Sequence, residues 1–173
     1  MTSSRVHIGV VGESRASRRA VADAERVGTA IAGAGAILLT GGRGGVMAAA
    51  SRGATRNGGL VVGILPGFAR EEANRWVTVP IVTGMDQARN VILVRSSDVV
   101  IAIGGRYGTL SEIAIALKLG VPVVGLRTWG LRPPERSRVP VIRASGPADA
   151  VARALRAAAR RRRAALDSPG RRS

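Results

Sequence analysis

Short aliphatic runs alternate with helical patterns along the chain, and most of those runs close on glycine. The runs are VHIGVVG (6–12), AILLTGG (36–42), LVVGILP (60–66), TVPIVTG (78–84), DVVIAIGG (98–105) and VPVVGL (121–126), with a shorter one in VPVIRA (139–144). Helical patterns fall at about 15–34, 45–57, 86–96, 109–119 and 147–165. Continuous apolar runs suit strands buried on both faces, and strands joined through helices run parallel with right-handed crossovers. The expected fold class is therefore α/β: a doubly wound, mostly parallel, Rossmann-like sheet in a three-layer αβα arrangement. Ligands in such sheets bind outside the carboxyl ends of the strands. Four of the expected ends carry glycine: Gly12, Gly41 with Gly42, Gly84, and Gly104 with Gly105.

At 173 residues the chain suits one domain. The expected division is a single nucleotide-binding domain over 1–165 and a disordered arginine-rich tail over 166–173. With one Phe, one Tyr and two Trp, the core must come from Val, Ile, Leu and Ala. The lack of cysteine excludes disulfides and thiolate metal sites, and the lone His7 excludes a histidine cluster. No apolar run reaches the roughly 18 residues of a membrane span, and the N-terminus has no signal-peptide cleavage region, so the expected location is the cytoplasm.

The formal charge of +16 comes from arginine apart from Lys118, and residues 151–173 hold eight arginines against one acid. Such a stretch is either a solvated helix end or a surface for nucleic acid or another polyanion; it has no interleaved aromatics for base stacking.

Neither G-x-G-x-x-G after the first strand nor the P-loop pattern G-x-x-x-x-G-K-S/T is present, which argues against ordinary dinucleotide oxidoreductases and P-loop ATPases. The stretch IAIGGRYGTLSE (101–112) offers another route to a phosphate. Gly105, Arg106, Tyr107, Gly108 and Thr109 lead from a strand into a helix, where free amides and the helix dipole favour an anion. Thr109 is the expected N-cap. Glu112 then has two readings: the second half of a Thr-x-x-Glu capping box, or a carboxylate aimed at a ligand.

TGGRGGVMAAASRGA (40–54) has the same logic, with Gly41, Gly42, Gly44 and Gly45 letting a nucleotide approach the backbone before a helix near Val46. In GMDQARNVILV (84–94), Arg89 and Asn90 open a helix that Asp86 is expected to cap, and the arginine can hold a phosphate or orient a carboxylate. Glu13 and Ser14 read first as a plain helix start, with contact to the ligand's sugar or phosphate as the alternative, Asp98 as a turn or cap residue, and 128–138 as a surface loop.

Taken in order, GGRGGVMAAASRGA, GGLVVGILPG and TGMDQARNVILVRSSDVVIAIGGRYGTLSEI resemble the Rossmann-like nucleotide-binding superfamily of the Lonely Guy cytokinin-activating phosphoribohydrolases and the molybdenum cofactor carrier proteins. The likeness covers about residues 6–127. ARN before the long strand and GGxxGTLSE after it look closest to the carrier branch. The hydrolases read P-G-G-x-G-T-x-x-E with a catalytic arginine upstream; on that motif Glu112 matches the glutamate and Arg89 the arginine, while Gly104 replaces the proline and Arg106 a glycine.

The resemblance implies a phosphate on the 105–109 amides and the Thr109 hydroxyl, with Glu112 facing the ribose and Arg89 holding it ionised. It further implies either hydrolysis of the N-glycosidic bond of nucleoside 5′-monophosphates or non-catalytic binding of the molybdenum cofactor. No cofactor is required for the hydrolysis, and a homo-oligomer, dimer or tetramer, is expected. Members have been labelled lysine decarboxylases. Pyridoxal phosphate needs a Schiff-base lysine, and Lys118 lies about 240° round the helix from Glu112, which argues against that chemistry.

Overall fold

In the computed structural model, which describes residues 5–131 and 141–167, the aliphatic runs form one parallel sheet. Its strands are β1 (His7–Gly12), β2 (Ile37–Thr40), β3 (Val61–Leu65), β4 (Val79–Val82), β5 (Val99–Ile103), β6 (Val123–Leu126) and β7 (Val141–Arg143). The helices are α1 (Arg18–Gly33), α2 (Val46–Arg56), α3 (Arg89–Arg95), α4 (Tyr107–Lys118) and α5 (Pro147–Asp167). The spatial order is β4-β3-β2-β1-β5-β6-β7. The chain builds outward from β1 to one edge, then returns to the other side of β1 and builds outward again. That reversal puts Gly12 beside Ile103, so the loops after β1 and β5 diverge and leave a crevice between them.

The period-two alternation of a strand divides the core. From β5, Val99, Ile101 and Ile103 pack with α1, α2 and α5, whereas Val100 and Ala102 pack with α3 and α4. Small residues dominate the first face because α1 and α2 almost touch. A Cβ on Gly28 would lie 2.0 Å from the Ala50 carbonyl oxygen, and one on Gly53 would lie 2.0 Å from that of Glu25. Arg52 fastens the same pair through two hydrogen bonds to the Glu25 carboxylate, at 2.8 and 2.7 Å.

Ser17 caps α1, accepting from the Ala20 amide at 3.2 Å. Other boundaries differ from the sequence expectation. Asp86 does not cap α3: it opens a 3-10 turn over Asp86–Ala88 at φ 45, and Ala88 is the residue before the helix. The β3–β4 connection holds only a 3-10 turn, Arg70–Glu72. β4 is an edge strand, where Pro80 removes a donor without breaking an interior ladder. Most of the expected surface loop at 128–138 and the start of the 139–144 strand lie outside the described residues, as do residues 168–173 of the expected tail; α5 is described to Asp167.

The basic C-terminal stretch is partly engaged. Arg162 donates to both oxygens of Asp98 at 3.0 and 2.6 Å, Arg161 donates to the carbonyl of Ser97 at 2.9 Å, and Asp98 also accepts the His7 amide at 2.8 Å. Asp98 is thus an anchor between the sheet and α5, beyond the turn or cap role expected of it. Burial alone would raise its carboxyl, but the Arg162 and His7 hydrogen bonds outweigh it and hold the pKa below the ordinary value. Among the described residues no helix is long and apolar enough to cross a membrane.

Candidate functional site

The carboxyl ends of β1, β2, β3 and β5 open into a cavity of about 610 Å3, the size of a small-ligand site. Two buried ionisable groups stand in its wall. Arg89, the first residue of α3, and Glu112, on α4, are 7% and 8% exposed, with Nη1 3.9 Å from Oε1. The sheet order brings them together: α3 and α4 pack side by side on one face, and their amino ends meet at the strand ends.

Gly41 is essential to this arrangement for a steric reason. A Cβ there would lie 2.4 Å from Nη1 and 2.6 Å from Nη2 of Arg89, so only glycine leaves room for the guanidinium. The other glycines shape the loops. Gly42 (φ 72), Gly45 (φ 60) and Gly105 (φ 109) occupy the left-handed region, and Gly45 lets the loop close on Glu13, whose carbonyl accepts the Val46 amide. Gly12 lies where a Cβ would strike Val46 and the Ile103 carbonyl.

The capping-box reading of Thr109 and Glu112 does not hold. α4 begins at Tyr107, the residue before it is Arg106, and Thr109 sits in the first turn with its side chain against Gly105. Glu112 is therefore in the second turn, too far along to bond back to the helix start, and its carboxyl faces Arg89 and the cavity. Among the described residues, no acceptor is paired with the amides of residues 105–109.

The electrostatics reflect burial. Loss of water pushes the Glu112 carboxyl up to about 7, although Arg89 pulls it down. Burial likewise lowers the Arg89 pKa, with Glu112 opposing; a guanidinium starts so high that it stays charged. Arg89 Nε and Nη1, Asn90 Oδ1 and Thr40 Oγ1 are buried without a hydrogen-bond partner. Each costs about 1–3 kcal/mol when left unpaired, and more when charged. Arg89 and Asn90 line the cavity, so a ligand carrying anionic and polar groups into it can relieve their share of that cost.

Of the residues expected at the site, Gly12, Gly44, Arg89, Asn90, Arg106, Gly108, Thr109 and Glu112 line the cavity. Gly41, Gly42, Gly45 and Gly105 are not in its lining. Tyr107 is 80% exposed, its ring 5.9 Å from that of Trp129 outside the lining. Arg106 is at the mouth, 3.5 Å from the Glu13 carboxylate. Glu13 and Ser14, for which a plain helix start is the first reading from sequence and a ligand contact the alternative, enter the lining with Arg43, Asp86 and Gln87. The signal for Glu13 and Ser14 was their place after β1, next to the strand that carries the GGRYGT loop.

A model of the SLOG cluster4 family matches residues 5–154. An uncharacterized protein of Archaeoglobus fulgidus is 48% identical over 122 residues, spanning 70% of this chain and 80% of that protein. Among solved structures, the molybdenum cofactor binding protein of Rippkaea orientalis superposes with a TM-score of 0.79 at 38% identity, covering 87% of this chain and 96% of that one. The molybdenum cofactor carrier protein of Chlamydomonas reinhardtii does so with 0.78 at 37%, covering 90% and 99%.

Proposed function

The chain belongs to the SLOG cluster4 family, and from that premise we propose that it binds the molybdenum cofactor or a closely similar phosphate-bearing pterin, without turning it over. The observation that carries this reading is the buried Arg89, with two unpartnered guanidinium nitrogens at the wall of a cavity sized for one such ligand. The structural likeness to two proteins named for that cofactor supports the choice of ligand.

In this reading the phosphate takes the free amides of residues 105–109 and the Thr109 hydroxyl, with Arg106 at the mouth adding charge. Arg89 and Asn90 meet polar atoms of the ring system. Glu112, held near neutrality by burial, presents a proton to a ring acceptor. Gly12, Gly41, Gly42, Gly44, Gly45 and Gly108 keep the backbone close, and Tyr107 covers the outer edge of the phosphate loop.

The test is titration of the purified protein with molybdenum cofactor released from a molybdoenzyme, followed by cofactor fluorescence after gel filtration. Saturable, stoichiometric retention that falls at least about tenfold in Arg89→Ala is expected; no retention refutes the reading.

A second reading, hydrolysis of the N-glycosidic bond of nucleoside 5′-monophosphates, is favoured by the Arg89–Glu112 pair itself. A carboxyl near neutrality can protonate a leaving base, as general acids of glycoside hydrolysis do. Incubation with AMP and chromatography for free adenine decides it: base release abolished by Glu112→Ala supports hydrolysis, and no release leaves the binder. We also propose a homo-oligomer, because Phe68, Ile81, Val82 and Met85 stand exposed on and beside the edge strand β4. Sedimentation equilibrium at monomer mass refutes that assembly.

A further inference from the structure

At the opposite end of the sheet from the glycine loops, a second cavity of about 720 Å3 opens between β6, β7 and α5. Its position follows from the topology. Val121 and Pro122 precede β6, and Arg161 reaches the carbonyls of Ser97 and Asp98 just before β5, so this is the amino-terminal end of the strands. Leu117, Pro122, Val141 and Ile142 supply apolar surface, and Arg153, Arg156, Arg160 and Arg161 supply charge, with no carboxylate in the described lining.

Two of these arginines are already committed: Arg153 holds Asp149 at 2.8 Å, and Arg161 holds backbone carbonyls. Arg156 and Arg160 pair with no acid among the described residues. One helical turn apart, they face the same way, and like charges at that spacing repel. An apolar floor beside a doubly cationic wall complements a ligand with an aliphatic body and an anionic head. The dianionic charge of a phosphate monoester answers two free guanidiniums, which can grip it through paired donors. A polynucleotide fits poorly, because the described lining holds no aromatic ring on which bases could stack.

We propose that this cavity is a second ligand site, binding an aliphatic phosphate monoester with its phosphate between Arg156 and Arg160 and its chain over Leu117, Pro122 and Val141. The site is separate from the glycine-loop cavity and shares no lining residue with it.

The test is calorimetric titration of the full chain with octyl phosphate below its micelle concentration, beside inorganic phosphate, neutral octyl glucoside and a short deoxythymidine oligonucleotide. Octyl phosphate is expected to bind at least about tenfold more tightly than either inorganic phosphate or octyl glucoside. Arg156→Glu with Arg160→Glu, both at exposed positions, is expected to weaken it at least about tenfold with the thermal midpoint kept, while Arg26→Glu, exposed on α1 and in the lining of neither cavity, leaves it unchanged. The proposal is overturned by equal affinity for inorganic phosphate, by unchanged binding in the double variant, by an equal loss in Arg26→Glu, or by a preference for the oligonucleotide that the double variant removes.

Discussion

Replacing Glu112 by Gln removes a titration that should dominate the pH dependence of stability near neutrality. In the folded protein burial lifts this carboxyl from 4.5 to about 7, whereas in the unfolded chain it returns to its ordinary value. The folded state therefore binds the proton more tightly. Between those two values the native state is protonated and the unfolded state ionised, so the contribution is fully present at low pH and is lost as pH rises through the folded pKa. A shift of this size corresponds to about 3 kcal/mol in total, most of which falls between about pH 5 and about pH 8.

Urea unfolding at those two pH values reads the effect directly. With a slope of about 2 kcal/mol per molar urea, the wild-type midpoint should drop by roughly 1 M more than that of Glu112→Gln. Asp98, whose pKa is lowered, is ionised at both ends of this range and does not confuse the comparison. Glutamine keeps the shape of the protonated side chain, so the variant should be the more stable protein at the higher pH. An equal midpoint drop in wild type and Glu112→Gln would refute the assignment of a desolvated carboxyl, and with it the polar character claimed for this cavity wall.

The same carboxyl sets a second dependence: an anion brought beside it is repelled when Glu112 is ionised, so affinity for phosphate-bearing ligands should rise severalfold between about pH 8 and about pH 6 by calorimetry, and Glu112→Gln should flatten that rise. Gly41→Ala would push against the Arg89 guanidinium; ligand affinity should fall at least about tenfold while the urea midpoint moves little, because a side-chain end can swing aside. Gly28→Val meets the backbone of α2 instead, which cannot swing; circular dichroism melts should show a loss of about 1–3 kcal/mol or more. Asp98→Ala removes one acceptor of Arg162 and the acceptor of the His7 amide together and should cost about 1–3 kcal/mol by urea unfolding, less at high salt because the pair is partly exposed.

Much of the architecture is legible without coordinates. Unbroken aliphatic runs closed by glycine determine parallel strands and the end at which ligands collect, because these depend on local periodicity and backbone freedom. The glycine loops and the ARN and GGRYGTLSE motifs carried the family. Other features depended on neighbours distant in sequence. The start of α4 at Tyr107 removed the local capping role open to Glu112, which a Thr-x-x-Glu pattern cannot reveal on its own. Placement of β5 against β1 brought Glu13 and Ser14 into the cavity. Gly41 looked like a residue serving backbone approach, and the fold gives it a steric partner, Arg89, 48 positions away in the chain. The C-terminal arginines read as a solvated helix end or a polyanion surface, and only the crossing of α5 over the amino ends of the strands shows Arg162 committed to Asp98. Sequence pattern fixes what each segment prefers to be, since period and turn chemistry act over a few residues. Which buried charge finds which partner, and at what cost in water, is decided only when the sheet order closes.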